Sequence, residues 1–400
     1  MSSSTNSVSF REWLPLVALA FAVFVFNTSE FIPIALLSDI AADFRISEAQ
    51  TGLLISVYAW CVALLSLPLM LIASKMEYRK LLLAVVFLFA TCQVLTSVSP
   101  GYYVLMASRI GVACAHAIFW SIASPLAVRI APQGKATAAL GMIVTGSSVA
   151  MIAGLPLGRV VGLYLSWRIT FVCIAVTAFL IFFLLAAIFP KVPNANPFPL
   201  SELPALLKNR ALLGIYLFTA ITTTAHYTAY SYIEPFLLQI AGLGENWVTF
   251  VLVTFGIAGI SGSFLFSRYF TRFPKLFIPA TSAGLAVFML LLRFSAYDFV
   301  AVIVLCFLWG IAITEFCLAF QSEIIRIVPY ATTIAMSIFS GIFNLGIGAG
   351  TLIGGSVCTY FSVSCIGYAG GVMGVIALVF CLTKLMGLLR VESWPPSRTR

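Results

Sequence analysis

The chain reads as long apolar runs interrupted by brief polar gaps. Twelve such runs can be drawn, at about 14–38, 50–73, 81–99, 102–128, 136–163, 168–189, 211–241, 246–267, 275–293, 298–325, 331–359 and 363–389. Each approaches or exceeds the roughly 20 residues that a helix needs to cross the hydrocarbon of a bilayer. The gaps are short with one exception: the stretch Pro190 to Arg210 holds five prolines, which forbid a continuous helix. The predicted architecture is an all-α membrane protein with twelve transmembrane helices in two bundles of six. Its parts are a segment 1–13, a first bundle 14–189, a linker 190–210, a second bundle 211–389 and a tail 390–400. The run from Leu14 to Leu37 is too long for a signal-peptide core and no small-residue cleavage site follows it, so it is read as the first span.

Composition sharpens this picture. Of 400 residues, 62% are hydrophobic and 9% charged, against roughly 25% charged in soluble domains. A water-soluble globule is excluded. The net charge of +9 lies in short loops beside apolar runs, where anionic lipid, not nucleic acid, is the neighbour. With both termini inside, 17 of the 22 Lys and Arg fall on the cytosolic side, Arg45, Arg159, Arg168 and Arg293 fall outside, and Arg109 lies within a span. That asymmetry orients the chain. Nine cysteines show no Cys-x-x-Cys spacing, which argues against a disulfide framework or a metal site. Cys358 and Cys365 flank an outer turn, where a bridge stays open as an alternative.

The two halves are related. Ser74-Lys75-x-x-x-Arg79 after the second span is matched by Ser267-Arg268-x-x-x-Arg272 after the eighth, an offset of 193. Arg129-Ile-Ala-Pro132 after the fourth is matched by Arg326-Ile-Val-Pro329 after the tenth, an offset of 197. Two matches at nearly one offset, each in the corresponding loop, argue for a duplicated six-helix unit about an axis along the membrane normal. Such paired bundles place a substrate cavity between them, so transport is the expected function. No phosphate-binding Gly-x-x-x-x-Gly-Lys-Ser/Thr loop, His-Glu-x-x-His or Gly-x-Ser-x-Gly occurs. An ATP-driven pump and a common hydrolase therefore have no support, and neither cofactor nor metal is expected. The runner-up is export of amphipathic drugs, since an aromatic cavity also accepts flat apolar molecules, and a membrane-embedded enzyme and a passive channel are the lesser alternatives.

A charge at the centre of a span costs roughly 2.5 to 3.5 kcal/mol, so the polar residues inside the runs are informative. Asn27 and Glu30 share a face of span 1. Arg109, His116 and Trp120 share a face of span 4. Thr219, Thr223, His226, Tyr230 and Glu234 draw a stripe along span 7, and Glu315 stands on span 10. Spans 1, 4, 7 and 10 hold corresponding places in the two halves. Glu30 lies about 24 Å of helix from the inner end of span 1 and Arg109 about 10 Å from the outer end of span 4, at similar heights. The two are expected to form a charge pair that exchanges a proton during transport; a static pair joining two helices is the alternative. His116 and His226 suit proton transfer or hydroxyl-rich ligands. Asn27, Trp120, Tyr230, Glu315 and Asn344 complete the expected substrate contacts, because a sugar presents C–H faces to aromatic rings and hydroxyls to polar groups. Span 5 carries Gly154, Pro156, Gly158 and Arg159, and span 11 carries Gly341, Gly348, Gly350, Gly354 and Gly355. Both read as close-approach faces, either a fixed seam between the bundles or a moving one.

The strings Asn27-Thr-Ser-Glu-Phe-Ile-Pro33, Arg109-Ile-Gly-Val-Ala-Cys-Ala-His-Ala-Ile-Phe-Trp-Ser121, Gly154-Leu-Pro-Leu-Gly-Arg159 and Ala225-His-Tyr-Thr-Ala-Tyr-Ser-Tyr-Ile-Glu-Pro-Phe236 resemble the major facilitator superfamily, in the drug:H+ antiporter-1 branch that includes sugar exporters. The resemblance runs from about residue 11 to 385. It implies the major facilitator fold with pseudo-symmetric bundles, and proton-driven export of small sugars or their analogues across a bacterial inner membrane. It also implies a coupling role for Arg109 and an antiporter motif at Gly154 to Gly158, here with Leu155 inserted between glycine and proline. The loop after span 2 departs from the family pattern, with Ser74 at the usual aspartate, although Lys75, Arg79 and Lys80 keep its bases. The implied partners are a sugar, protons and lipid, and the implied state is a monomer.

Overall fold

The computed structural model describes residues 10–73, 76–133, 135–193, 208–270, 272–328 and 332–392, and among them it contains helices and no strand. Eleven helices among the described residues are long and apolar enough to cross a membrane. The remaining span is Arg210–Tyr230, a 21-residue helix too polar to pass on composition. It carries five threonines and His226, and nearly its whole length from Ala211 to Tyr230 is buried. A helix sheathed by its neighbours needs no lipid-compatible surface, which is why the polar stripe is tolerated here.

Spans 1 to 6 are Phe10–Ala35, Glu48–Ala73, Tyr78–Ser97, Tyr102–Ile130, the broken span Ala136–Val149 with Leu155–Tyr164, and Trp167–Ile188. Spans 7 to 12 are Arg210–Tyr230, Glu245–Tyr269, Pro274–Ser295, Phe299–Ile327, Thr332–Tyr360 and Ile366–Phe380, the last continued by Met386–Glu392. In the first bundle, span 1 packs on 5 and 6, span 4 on 2 and 3, and span 3 on 6. In the second, span 7 packs on 11 and 12, span 10 on 8 and 9, and span 9 on 12. The second set is the first with six added to every number, so the duplication read from the loops is also a duplication of packing. The bundles meet mainly through two seams, span 2 on 11 and span 5 on 8, which are each other's mates under the same operation.

Three helices depart from the predicted straight runs. Span 1 ends at Ala35, and after Leu36 the chain starts a short helix, Leu37–Phe44, closed by Arg45 in the left-handed region at φ 54°. Span 7 breaks after Tyr230 and resumes as Ile233–Gln239. The two breaks lie at equivalent places in the halves. Span 5 contains a π-turn, Ala150–Gly154, just before Pro156. Proline has no N–H to give the preceding turn, and a wider turn absorbs the mismatch.

The glycine faces are packing seams inside each bundle. Gly154, Gly158 and Gly162 lie against Thr28, Ile32 and Leu36, a four-residue step on both helices that brings spans 1 and 5 into backbone range. In the second bundle Gly346, Gly350 and Gly354 lie in the same way against span 7, on Thr223, Thr224 and Thr228. The expected seam between bundles is thus corrected for span 5: its glycines face span 1. Span 11 is two-sided, since Gly348 and Gly355 meet Trp60 and Ala49 of the other bundle. A Cβ on Gly350 would overlap the Thr224 carbonyl and come 2.9 Å from the Thr228 nitrogen, both backbone atoms with no rotamer to yield. Gly350→Leu is therefore expected to cost about 1–3 kcal/mol or more through overpacking. It should lower the thermal midpoint of detergent-purified protein, whereas Gly387→Ala, with nothing within 4 Å, should not.

In the loop after span 2, Lys75 lies outside the described residues. Arg79 donates to the Ala186 carbonyl on span 6, and Lys80 is exposed. Glu77 caps span 3 and also accepts from the Val192 amide at 2.8 Å. These contacts stay within the first bundle. Of the linker 190–210, residues 194–207 lie outside the described set, and Asn209 opens span 7 by accepting from the Leu212 amide at 2.7 Å. Cys358 and Cys365 are free thiols.

Candidate functional site

Spans 2, 5, 8 and 11 carry the seams, so spans 1, 4, 7 and 10 are left to face the middle. On the first bundle's side, Glu30 is buried to about 10% side-chain exposure with its Oε2 3.5 Å from His116 Nε2. Arg109, 1% exposed, donates to the Ser29 carbonyl at 3.1 Å and lies 4.5 Å over the Tyr58 ring. The expected Glu30–Arg109 contact pair is corrected: Arg109 meets Ser29, and Glu30 meets His116. Residues 29 and 30 differ by 100° around a helix, so one side chain turns to the outer part of span 4 and the other to its middle.

Sequence reading passed over the support for Arg109. Gln93 of span 3 is fully buried and donates to Ser29 Oγ, which also lies 3.4 Å from Arg109. Gln93 is a polar residue in the middle of an apolar run, and that was the available signal. Around this chain Phe26 stacks between Phe89 and Phe119, with centroids at 3.9 and 4.0 Å, and fixes the register of spans 1, 3 and 4.

On the second bundle's side, His226 stacks on Tyr230 at 5.0 Å and meets Tyr227 and Trp309 edge-on at 4.8 and 5.4 Å. Tyr230 in turn touches Phe255 at 5.1 Å. His226 and Tyr230 thus belong to an aromatic box. Asn344 donates to the Ser340 carbonyl at 3.1 Å, and Trp120 lies 5.9 Å from His116. Asn27 is buried on span 1. Several buried polar atoms of these residues have no hydrogen-bond partner: Tyr58 Oη, Trp60 Nε1, His116 Nδ1, His226 Nδ1, Thr219 Oγ1 and Asn344 Oδ1. Such groups cost about 1–3 kcal/mol each when unsatisfied.

Glu315 is corrected. The face of span 10 toward span 7 is Trp309, Phe316 and Phe320, which meet His226 and Phe218. Glu315, one residue round from Phe316, turns instead to span 9, where Thr281 donates to it at 3.3 Å. It lies away from the interface.

The two ends of the interface differ. Here the end where span 1 begins is the near end, and the other the far end. Among the described residues, the hydrogen bonds between bundles gather at the far end. Arg159 donates to the Ala35 carbonyl, to Glu234 at 3.2 Å and to Glu245. Glu234 also accepts from the Ser38 hydroxyl at 2.8 Å and the Ser38 amide at 3.3 Å. Gln239 reaches Glu48, and Tyr164 reaches Asn246. Ser38 and Glu234 are separated by 196 residues, within the range of the loop offsets of 193 and 197, so this contact lies close to the pseudo-symmetry axis. Asp39 lies beyond the end of span 1, and burial holds its carboxyl above its ordinary range, against the pull of Arg159 and with the repulsion of Glu245.

Toward the near end both seams part. A Cβ on Gly256 would come 2.7 Å from Ile152 Cα, yet Ile260, one turn further along the same face, is 57% exposed, and Ser263 is exposed too. On span 11 the fit loosens from Gly355 and Gly348 to Gly341, whose nearest neighbour would be the Ala63 carbonyl at 3.8 Å. Among the described residues the interface is closed at the far end, and the two seams loosen toward the near end.

Two like bundles around a polar interface, closed at one end, define a membrane transporter of the paired-bundle class. The chain belongs to the Major Facilitator Superfamily, whose profile matches residues 19–329. It is similar in fold to a bacterial homolog of the human lysosomal transporter Spinster in an inward-facing and unoccupied conformation. That likeness has a TM-score of 0.78 at 17% identity and covers 98% of this chain and 100% of the other. The inward-facing, occupied form of a bacterial Spinster homolog matches with a TM-score of 0.72 at 16% identity, over 96% and 98% of the two chains.

Proposed function

We propose that the chain is a secondary transporter of the drug:H+ antiporter-1 branch that exports small sugars or sugar analogues by proton antiport. It works by alternating access in a bacterial inner membrane, with both ends cytoplasmic and the near end facing the cytosol. The observation that carries this reading is Glu30: a buried acid within span 1, 3.5 Å from the imidazole of His116 on span 4. An acid so placed answers to both the proton and the occupant of the interface. Asn27, Trp120, Asn344, His226 and Tyr230 are the proposed substrate contacts, and the unpartnered hydroxyl, amide and ring nitrogens among their neighbours suit a polyhydroxylated ligand.

The test is transport in proteoliposomes under an imposed pH gradient, with arabinose, lactose and a thiogalactoside beside a cationic dye. Sugar movement against its own gradient, abolished by a protonophore, is the expected result. A second reading, export of amphipathic drugs, is favoured by the box of Tyr227, Tyr230, Phe255 and Trp309 around His226. Dye movement without sugar movement would establish it. Flux indifferent to the pH gradient would mean a channel and overturn both.

A further inference from the structure

A cavity of about 410 Å³ lies outside the bundle interface, between spans 8, 9 and 10. Its walls are the rings of Tyr269, Phe277 and Phe288 and small residues such as Gly284, and its polar members include Glu315 and Thr281. The space exists because span 9 presents small side chains here: a Cβ on Gly284 would find only Phe288 at 3.3 Å and Ala312 at 3.8 Å. Much of the lining is exposed, with Tyr269 at 42% and Leu276 at 68%. On a membrane-spanning bundle the cavity thus opens to the acyl chains.

Glu315 is out of place in such a wall. It stands twelve residues before the end of span 10 at Ile327, or about 18 Å of helix, near the middle of a hydrocarbon layer about 30 Å thick. A carboxyl there is costly unless something offsets it. The transport interface does not use it, and Thr281 gives it one hydrogen bond, the only one among the described residues. The remaining acceptor capacity points to a ligand that brings a positive charge.

We propose that this cavity is a second, membrane-side binding site for compact aromatic organic cations dissolved in the bilayer. The charge pairs with Glu315 in a medium of low dielectric, and the flat body lies among Tyr269, Phe277 and Phe288. The cation–π attraction of those rings adds to the apolar contact. The volume suits a ligand of drug size. An anionic amphiphile fits less well: its charged head would stay at the membrane surface and its apolar chain would lie against the carboxylate. The inference does not depend on which substrate crosses through the interface.

The test is equilibrium binding of ethidium to the full-length protein in lipid nanodiscs, read by fluorescence anisotropy, beside the neutral aromatic probe N-phenyl-1-naphthylamine. Glu315→Gln is expected to weaken ethidium at least tenfold and leave the neutral probe unchanged. Gly284→Leu, which fills the cavity, should weaken both. Thermal midpoints near that of the parent confirm folding of each variant. Ethidium binding that is unchanged in Glu315→Gln or in Gly284→Leu would overturn the site. Displacement of ethidium by palmitate, with palmitate binding unaffected by Glu315→Gln, would assign the cavity to an anionic lipid and overturn the proposal as well.

Discussion

Glu30→Gln is expected to reduce pH-gradient-driven sugar accumulation by about a hundredfold or more, equivalent to ~2.7 kcal/mol on the coupled step, while exchange of sugar for sugar continues. The reasoning is specific to the site. Gln keeps the size of Glu and one acceptor oxygen, so the contact with His116 at 3.5 Å can persist. What Gln cannot do is gain and lose a proton. Exchange needs the bundles to rock with the ligand bound at both turns, and nothing in that half-cycle requires Glu30 to change charge. If Glu30 serves only as a static link between spans 1 and 4, the same variant keeps the link and should leave coupled transport at the parental rate. The two readings predict opposite results in the driven flux. Normal proton-driven flux in Glu30→Gln would end the coupling role.

The architecture was legible because bilayer crossing imposes a crude rule on sequence, and twelve apolar runs obey it. The duplication was legible from loop residues at offsets of 193 and 197, and the contact of Ser38 with Glu234 at offset 196 shows why. What sequence could not resolve was rotation. Period and spacing say that Arg109 and His116 share a face, but not whether Glu30 or Ser29 turns toward which of them. The same ambiguity of 100° sent Glu315 to the interface in the sequence reading, when its neighbour Phe316 holds that face. The glycine rows were found, but not their partners, because a small face says that something comes close without saying which helix. Arg159 followed a packing motif and looked like one more outer base. Its importance depends on Glu234 and Glu245, residues 75 and 86 positions away that no local pattern connects to it.

That arginine supports the other large prediction: Arg159→Ala is expected to unlock the far end. Arg159 and Glu234 are each 1% exposed, and the guanidinium also satisfies the Ala35 carbonyl. Removing one partner of a buried pair typically costs about 3–5 kcal/mol, because the other charge is left without compensation. The Glu245 arm contributes little of this, since Glu245 is 45% exposed and water screens it. The cost falls on the closed arrangement. Once the far end parts, Glu234 regains water, so the penalty moves the equilibrium toward a far-open state by about a hundredfold for ~3 kcal/mol. A cysteine at Ala49, which faces Gly355 across the span 2–11 seam, reports it. Labelling by a membrane-impermeant maleimide, counted above the native cysteines, should be much faster in Arg159→Ala than in the parent. The double variant Arg159→Ala with Glu234→Ala removes the stranded carboxylate and should return most of the protection. Equal labelling in the parent and both variants would show that the seams hold the far end shut without the ion pair, and faster labelling in the double variant than in the single would place the latch in Glu234's bonds to Ser38 instead.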